Sequence, residues 1–208
     1  MKLIYGVGVN DASYQTQIKK TVNGKRIVIF LCPFYQRWKD MLKRCYSIHN
    51  GKSYKDCSVC DEWLTFSNFR AWMEQQDWKD KELDKDLLVE GNLIYSPEAC
   101  MFVPRELNIF TVAQRRNIGK LPMGVFLYKG RKKNPYYANI STKTRGTDYI
   151  GAYPNPLLAH MAYLKVKLEQ CKMYQEKYKN YPKIFLALER ISGKILHHIE
   201  NKLILTTF

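Results

Sequence analysis

A short acidic segment holds the residues with the clearest chemical potential. Asp84 and Asp86 stand two residues apart in a strand-like stretch, KELDKDLL, with Lys85 between them. Alternate residues of a strand point to the same face, so the two carboxylates would suit shared coordination of Mg²⁺ through oxygen. The simpler interpretation is a solvated acidic strand end whose charges alternate with those of Lys81 and Lys85. Both interpretations stay open on the sequence.

The six cysteines raise the question of a second kind of metal site. Cys57 and Cys60 form a CxxC motif, but no second CxxC or HxxxH motif accompanies it. Structural zinc needs four thiolate or imidazole ligands, and the others would have to come from Cys32, Cys45 or Cys100. Cys45 falls in an apolar helical pattern, where a free cysteine packs as a small hydrophobe. We therefore expect free thiols, with structural Zn²⁺ at Cys57 and Cys60 as the alternative.

The net charge of +15 is distributed unevenly along the chain. Residues 1–102 hold 15 Lys and Arg against 13 Asp and Glu, whereas residues 103–208 hold 19 against 6. A cationic half of this density attracts a polyanion, and counterion release from a phosphate backbone is a common source of affinity. The basic residues are spread over several segments rather than gathered on one amphipathic helix, which disfavours a membrane surface. A basic protein kept soluble by its charge is the alternative.

The start of the chain, MKLIYGVGVNDAS, lacks the basic-then-apolar order of a signal peptide. No apolar run is long enough to span a bilayer. These two observations predict a cytoplasmic protein.

Apolar periodicity and turn signals predict an α+β fold. An extended arm with a turn at Asn23-Gly24 precedes a helix from Pro33 and a second, aromatic-rich helix. Residues 79–117 follow as two short strands and a helix, a ββα unit. From Met123, three short strands separated by basic turns precede a helix with one apolar stripe, and a last helix begins near Pro182.

Two parts of the sequence resemble known families. The runs WKDMLKRCYS, VCDEWLTFSNFRAWM, LDKDLL and YSPEACMFVPRELN resemble phage and prophage HNH endonucleases in which a Tyr-Ser-Pro-Glu turn precedes the helix. Residues 123–173, which begin MGVFLYKGRKKNPYYANISTK, resemble the AP2 DNA-binding domain often joined to such nucleases. The resemblance implies an HNH-like module with an N-terminal arm and helices over residues 1–118, an AP2-like domain over 119–178, and a C-terminal helix over 179–208.

The HNH resemblance implies a metal-dependent nuclease site in the ββα unit. It puts Asp84 and Asn108 in the places of metal ligands, Lys85 in the place of the catalytic His, and Ala99 in the place of the Asn that orients that His. An ordinary lysine is a poor general base at neutral pH. Either burial or a bound metal activates Lys85 as the base, or Lys85 neutralises the scissile phosphate while Asp86 or a metal-bound hydroxide acts as the base. The expected catalytic residues are Asp84, Lys85, Asp86 and Asn108, with Mg²⁺ or Mn²⁺ held by Asp84, Asp86 and Asn108.

The AP2 resemblance implies that the three-stranded sheet lies in the major groove of duplex DNA while the following helix supports it from behind. That groove is wide enough for strands. Basic turn residues more often contact phosphate than bases. Of Tyr136, Tyr137 and Tyr149, one or two should pack under the sheet. The candidate DNA contacts are Lys129, Arg131, Lys132, Lys133, Tyr137, Lys143 and Arg145.

These patterns support three hypotheses about function. The first is a double-stranded-DNA-binding, metal-dependent HNH-like endonuclease of the homing type, located in the host cytoplasm if a phage encodes it. The second is a catalytically inactive DNA-binding or accessory protein on a degenerate HNH frame. The third is an interaction protein that binds a host nucleic-acid enzyme through a DNA-like or nuclease-like surface, although imitation of DNA would need acidic rather than basic charge. Among the four histidines, only His49, in a polar loop, is kept as an outside candidate for the site.

Overall fold

The structure is a computed structural model. It describes residues 3–48, 54, 56–111, 121–142 and 146–208. The chain divides into two compact units, Met1–Val103 and Pro104–Phe208. Helices and small sheets occur in both units, which confirms the predicted α+β class. The division falls before the boundary predicted between residues 118 and 119, and the last helix belongs to the same unit as the three-stranded sheet.

The first unit contains a β-hairpin formed by β1 (Gln17–Val22) and β2 (Lys25–Leu31), which pair antiparallel. The two turn residues, Asn23 and Gly24, have φ angles of 49° and 73°. This left-handed conformation suits a two-residue hairpin turn, and Asn followed by Gly adopts it more readily than other pairs. The turn predicted at these residues is confirmed.

Two helices, α1 (Pro33–Tyr46) and α2 (Phe66–Glu74), form the aromatic core of the first unit. The indole Nε1 of Trp38 donates a hydrogen bond to the carbonyl oxygen of Trp63 at 2.7 Å, so the largest side chain of α1 is satisfied as well as buried. The sequence spacing predicts an apolar stripe of Phe34, Trp38, Met41 and Cys45 on α1, and the structure confirms it at Trp38 and Met41. The buried side chains of α1 are Tyr35, Trp38, Met41 and Leu42, whereas Phe34 and Cys45 are half-buried.

Two small sheets follow α1 in the first unit. β3 (Ser58–Val59) pairs parallel with β5 (Ile94–Tyr95). β4 (Lys81–Asp84) pairs with β6 (Met101–Pro104), so the two strands of the predicted ββα unit are neighbours in one sheet.

The second unit begins with the short helix that follows β6 in sequence and continues with a three-stranded antiparallel sheet of order β7-β8-β9. Helix α4 packs across one face of this sheet, and α5 packs on α4. The elements are α3 (Arg105–Thr111), β7 (Val125–Leu127), β8 (Tyr136–Thr142), β9 (Gly146–Tyr153), α4 (Pro156–Lys177) and α5 (Pro182–Glu200).

Alternation along the strands separates the two faces of the sheet. Val125 pairs with Ala138, and both are fully buried, as is Ile140 two residues further along β8. Gly124 precedes β7 with a φ of 75°, and a Cβ at this position would lie 2.2 Å from the ring of Tyr163 on α4. Only glycine allows the sheet to approach α4 this closely.

The spacing of Leu157, Met161, Leu164, Leu168 and Cys171 predicts an apolar stripe on α4. The structure confirms this stripe at Leu164 and Cys171, but the buried face of the helix also includes His160 and Lys167. The apolar residues of α5 pack within the chain, and the thiol of Cys171 donates to the carbonyl oxygen of Leu188 at 3.3 Å. No helix within the described ranges combines the length and the apolar character needed to cross a membrane.

Candidate nucleic-acid interface and candidate metal site

Four of the predicted DNA contacts lie together in the turn that joins β7 to β8. Lys129, Arg131, Lys132 and Lys133 are all exposed. The turn is held by backbone hydrogen bonds at both ends, since the N–H of Tyr128 donates to the carbonyl of Pro135 at 2.9 Å and that of Arg131 donates to Tyr128. The turn therefore presents a compact cluster of cations at one end of the sheet.

The sheet face opposite α4 carries aromatic side chains. Phe126 pairs with Tyr137 across β7 and β8, and their rings stack with centroids 5.3 Å apart. Asn139 pairs with Tyr149 across β8 and β9, and Tyr149 retains 61% of its surface. Because residues alternate between faces, these four side chains lie opposite to buried Ala138 and Ile140. We call this surface the open face.

A shallow cavity of about 390 Å³ joins the cationic turn to the open face. Its lining contains a guanidinium, an amide and three phenol rings, so cation, hydrogen-bonding groups and flat aromatic surface converge in one place. The lining residues are Tyr128, Arg131, Asn134, Tyr137 and Tyr149.

The structure thus brings Arg131 and Tyr137 together, with Lys129, Lys132 and Lys133 in the same turn as Arg131. Lys143 and Arg145, the other two predicted contacts, lie outside the described residues. Tyr128 and Asn134 were not singled out from the sequence, although Asn134 is the last residue of the basic RKKN turn and Tyr128 lies three residues before that turn. Of the three tyrosines in question, Tyr136 and Tyr137 are half-buried and Tyr149 is exposed.

The side chain of Asn139 is half-buried on the open face. Its Oδ1 is buried and has no hydrogen-bond partner within the part of the chain that the structure describes. A buried amide oxygen without a partner costs free energy.

The acidic segment of the first unit forms a tight loop after β4. Oδ1 of Asp84 accepts hydrogen bonds from the backbone N–H groups of Asp86 and Leu87 at 2.9 and 2.7 Å. Asp84 is only 7% exposed, and its burial raises the pKa of this carboxyl, although the two backbone hydrogen bonds oppose the shift. As placed, Asp84 stabilises a chain reversal.

Lys85 closes the same loop from the other side. Its Nζ donates to the carbonyl oxygen of Asn92 at 2.6 Å and to Oδ1 of Asp86 at 2.5 Å, and the residue is 6% exposed. The side chain of Asn92 donates in turn to the carbonyl oxygens of Lys85 and Ile94. The ammonium of Lys85 is therefore buried in the loop, where it is satisfied by local acceptors.

These contacts bear on the fit of a divalent metal. The sequence spacing predicts that Asp84 and Asp86 lie on the same face of one strand. In the structure β4 ends at Asp84, so Asp86 lies in the loop beyond the strand and the two carboxylates do not share a strand face. Asn108 lies in α3 of the second unit, and Ala99 is buried in the first. Within the described ranges, no group of three His, Cys, Asp or Glu residues is close enough to hold a metal ion. The described residues of the loop do not by themselves fit Mg²⁺ or Mn²⁺.

The cysteines are free thiols among the described residues. Burial raises the pKa of Cys45 and of Cys100 to about 12, which keeps both thiols protonated at neutral pH. Cys57 is buried and Cys60 half-buried, and the CxxC motif gains no third ligand within the described ranges. His49 lies outside those ranges.

Comparisons of the chain with protein-family models, with curated proteins and with solved structures found no match. The resemblance to HNH nucleases and AP2 domains therefore stays an expectation from the sequence motifs. The function has to be argued from the geometry of the two candidate sites.

Proposed function

We propose that this protein binds double-stranded DNA through the open face of the β7-β8-β9 sheet. The observation that carries the proposal is the position of four exposed cations in one turn beside an exposed aromatic face. Phosphates attract the cations, while the flat face and its polar groups meet the groove between the two phosphate backbones.

The cationic turn supplies affinity in this proposal. Lys129, Lys132 and Lys133 are flexible point charges that contact phosphate without reading sequence. Arg131 differs because its guanidinium lies at the edge of the open face, where it can form paired hydrogen bonds to phosphate or to a guanine edge. Charge in the rest of the second unit supports the same partner, since residues 104–208 without these four cations hold 15 basic and 6 acidic side chains.

The open face supplies discrimination. The phenol of Tyr149 is exposed and the amide of Asn139 lies opposite it on the neighbouring strand. A phenol can contact phosphate or a base edge. Helix α4 holds the sheet rigid from the other side, which keeps these groups in fixed positions.

The test is the salt dependence of binding to a labelled duplex of mixed sequence, measured by fluorescence anisotropy. Arg131→Gln/Lys132→Gln should lower the slope of log affinity against log salt by about 1.8, or 0.9 for each lost phosphate contact. Lys165→Gln/Lys183→Gln is the matched control because it removes two exposed cations from α4 and α5. Equal slopes for the two double variants would refute the proposed surface.

An HNH-like endonuclease activity is a second candidate. It is supported by the chain order, in which paired strands β4 and β6 are followed by α3, and by the polar residues Asp84, Lys85 and Asp86 at the end of β4. The hydrogen bonds of these residues favour the alternative, a DNA-binding protein on an inactive frame. Plasmid nicking with Mg²⁺, Mn²⁺ or EDTA distinguishes the two.

A further inference from the structure

The β1-β2 hairpin of the first unit leaves both of its faces in solvent. All residues of β1 after Gln17 and all residues of β2 before Leu31 are exposed. A two-stranded hairpin is marginally stable by itself in water, and large exposed apolar side chains mark a contact surface. The exposed apolar residues are Ile18, Val22, Ile27, Val28, Ile29 and Phe30.

The hairpin also carries the whole positive excess of the first unit. Residues 17–31 contain Lys19, Lys20, Lys25 and Arg26 but no acidic residue. Up to Val103 the chain has 15 basic and 13 acidic residues, so the hairpin leaves 11 basic and 13 acidic residues for the rest of the unit. None of the four cations forms an ion pair with a residue that the structure describes. The concentration of charge points to an anionic partner for the hairpin.

The strand register distributes these cations over both faces. Thr21 lies opposite Arg26, and Val22 lies opposite Lys25. Opposite residues share a face, as do alternate residues of one strand. Lys19 and Arg26 therefore lie on one face of the hairpin, and Lys20 and Lys25 on the other. A partner that presents negative charge on two sides fits this arrangement better than a single flat surface does.

We propose that the hairpin is an arm that enters a groove of duplex DNA, where its two faces meet the phosphates on either side. The choice of partner rests on the proposed DNA binding, but the contacts are separate from those of the β7-β8-β9 sheet. The major groove admits a two-stranded ribbon, and strands of six and seven residues span roughly 20 Å. Val22 and Ile27, beside the cations, provide apolar contact for groove atoms such as thymine methyl groups.

A second copy of the chain is the competing occupant of this ribbon. Pairing of two hairpins would cover the apolar residues, but it would also bring four cations from each copy together without an intervening acidic residue. Like charges that face each other across strands are destabilising. Duplex DNA covers the same apolar surface and neutralises the cations, so the charge pattern favours DNA.

The experiment compares three double variants of the full chain for binding to a mixed-sequence duplex. Lys19→Gln/Arg26→Gln and Lys20→Gln/Lys25→Gln each remove the cations of one face. Each should lower the salt slope by about 1.8, so its binding defect relative to the wild type should be largest at low salt and should shrink roughly tenfold between about 0.05 M and 0.2 M salt. Lys39→Gln/Lys79→Gln removes the same charge from elsewhere in the first unit and should leave both quantities near those of the wild type.

Three outcomes would overturn the inference, and they are distinguishable. If the wild type binds duplex and both hairpin variants bind with the affinity and salt slope of the control, the hairpin is not a DNA-binding arm, while the proposal for the β7-β8-β9 sheet is unaffected. A wild-type protein that binds no duplex removes both proposals. A dimer in sedimentation velocity that dissociates in Ile27→Thr/Ile29→Thr assigns the ribbon to a second copy. Circular dichroism of each variant should match the wild type, since the substituted side chains are exposed except that of Lys39, which is half-buried.

Discussion

Oδ1 of Asp84 accepts the backbone N–H of Leu87 at 2.7 Å, and this contact holds the chain reversal that follows β4. The N–H of Asp86 reaches the same oxygen. Both hydrogen bonds need an acceptor oxygen rather than a negative charge, because the donors are backbone amides. This separates the structural role of Asp84 from any role in metal binding.

Asp84→Asn should therefore fold at least as stably as the wild type at pH 7, whereas Asp84→Ala should lose about 1 to 2 kcal/mol. Asn keeps an acceptor and removes a buried charge. Because burial raises the pKa of Asp84, the stabilising protonated form is present at low pH and is lost as pH rises through that pKa. The advantage of Asn should thus grow from pH 4 to pH 7 in urea unfolding.

The same pair of variants tests the nuclease hypothesis without confusing it with unfolding. Metal-dependent nicking by the wild type that is absent in the stable Asp84→Asn protein would establish a catalytic carboxylate. Equal nicking by both proteins would exclude Asp84 as a metal ligand. If Asp84→Asn lowered the free energy of unfolding as much as Asp84→Ala does, a neutral acceptor oxygen would not be enough to hold the chain reversal, and the structural role of Asp84 would be contradicted.

Lys167 provides a second prediction. Its Nζ donates to the carbonyl oxygen of Phe110 at 2.7 Å and lies 4.1 Å from the centroid of the Phe110 ring. Burial lowers the pKa of Lys167 to about 7. The unfolded chain keeps the proton up to the ordinary value of 10.5, so the folded state gains stability as pH rises from about 7 towards that value.

Relative to Lys167→Met, the wild type should therefore gain up to about 2 kcal/mol between pH 7 and pH 9. Urea unfolding at several pH values measures this difference. Lys165→Met, an exposed change on the same helix, should show no such trend. Parallel stability curves for wild type and Lys167→Met would rule out a depressed pKa at this lysine.

A third prediction concerns His160, whose two ring nitrogens both take part in hydrogen bonds. The carbonyl of Met123 lies 2.8 Å from Nδ1, and the N–H of Leu205 donates to Nε2 at 3.0 Å. Nε2 must be an acceptor, so Nδ1 carries the proton and the ring is neutral. Burial is the main cause that lowers the pKa of His160.

Protonation of His160 would break the hydrogen bond from Leu205, so stability should fall as pH drops below about 6.5, the ordinary value for histidine. Thermal unfolding between pH 7 and pH 5 should show a loss of about 1 kcal/mol that His160→Gln lacks. The amide of Gln keeps one donor and one acceptor without titrating. The exposed His197→Gln serves as the control and should retain the loss.

The local elements were predictable because their signals are local. Asn23-Gly24 suits a hairpin turn, Pro33 suits the first turn of a helix, and the spacing of Trp38 and Met41 matches one face of that helix. The three strands after Met123 and the helix behind them follow from alternation and period in the same way. Local backbone preferences and burial periodicity suffice for this level of structure.

The acidic segment shows where such reasoning fails. Sequence spacing places Asp84 and Asp86 on one strand face, but β4 ends at Asp84 because its carboxylate caps the backbone amides beyond it. Asn92, seven residues after Lys85, then completes the loop. Side-chain hydrogen bonds to the backbone compete with strand pairing, and a pattern of residue types does not show which of these two interactions forms.

The sequence by itself determined the α+β class, the cationic second half, and the turn that carries Lys129, Arg131, Lys132 and Lys133. Only the tertiary structure decided that Tyr149 is exposed on the open face, that His160 and Lys167 are buried, and that the β1-β2 hairpin keeps both faces in solvent. Burial depends on which surfaces meet after folding, and these contacts join residues far apart in the chain.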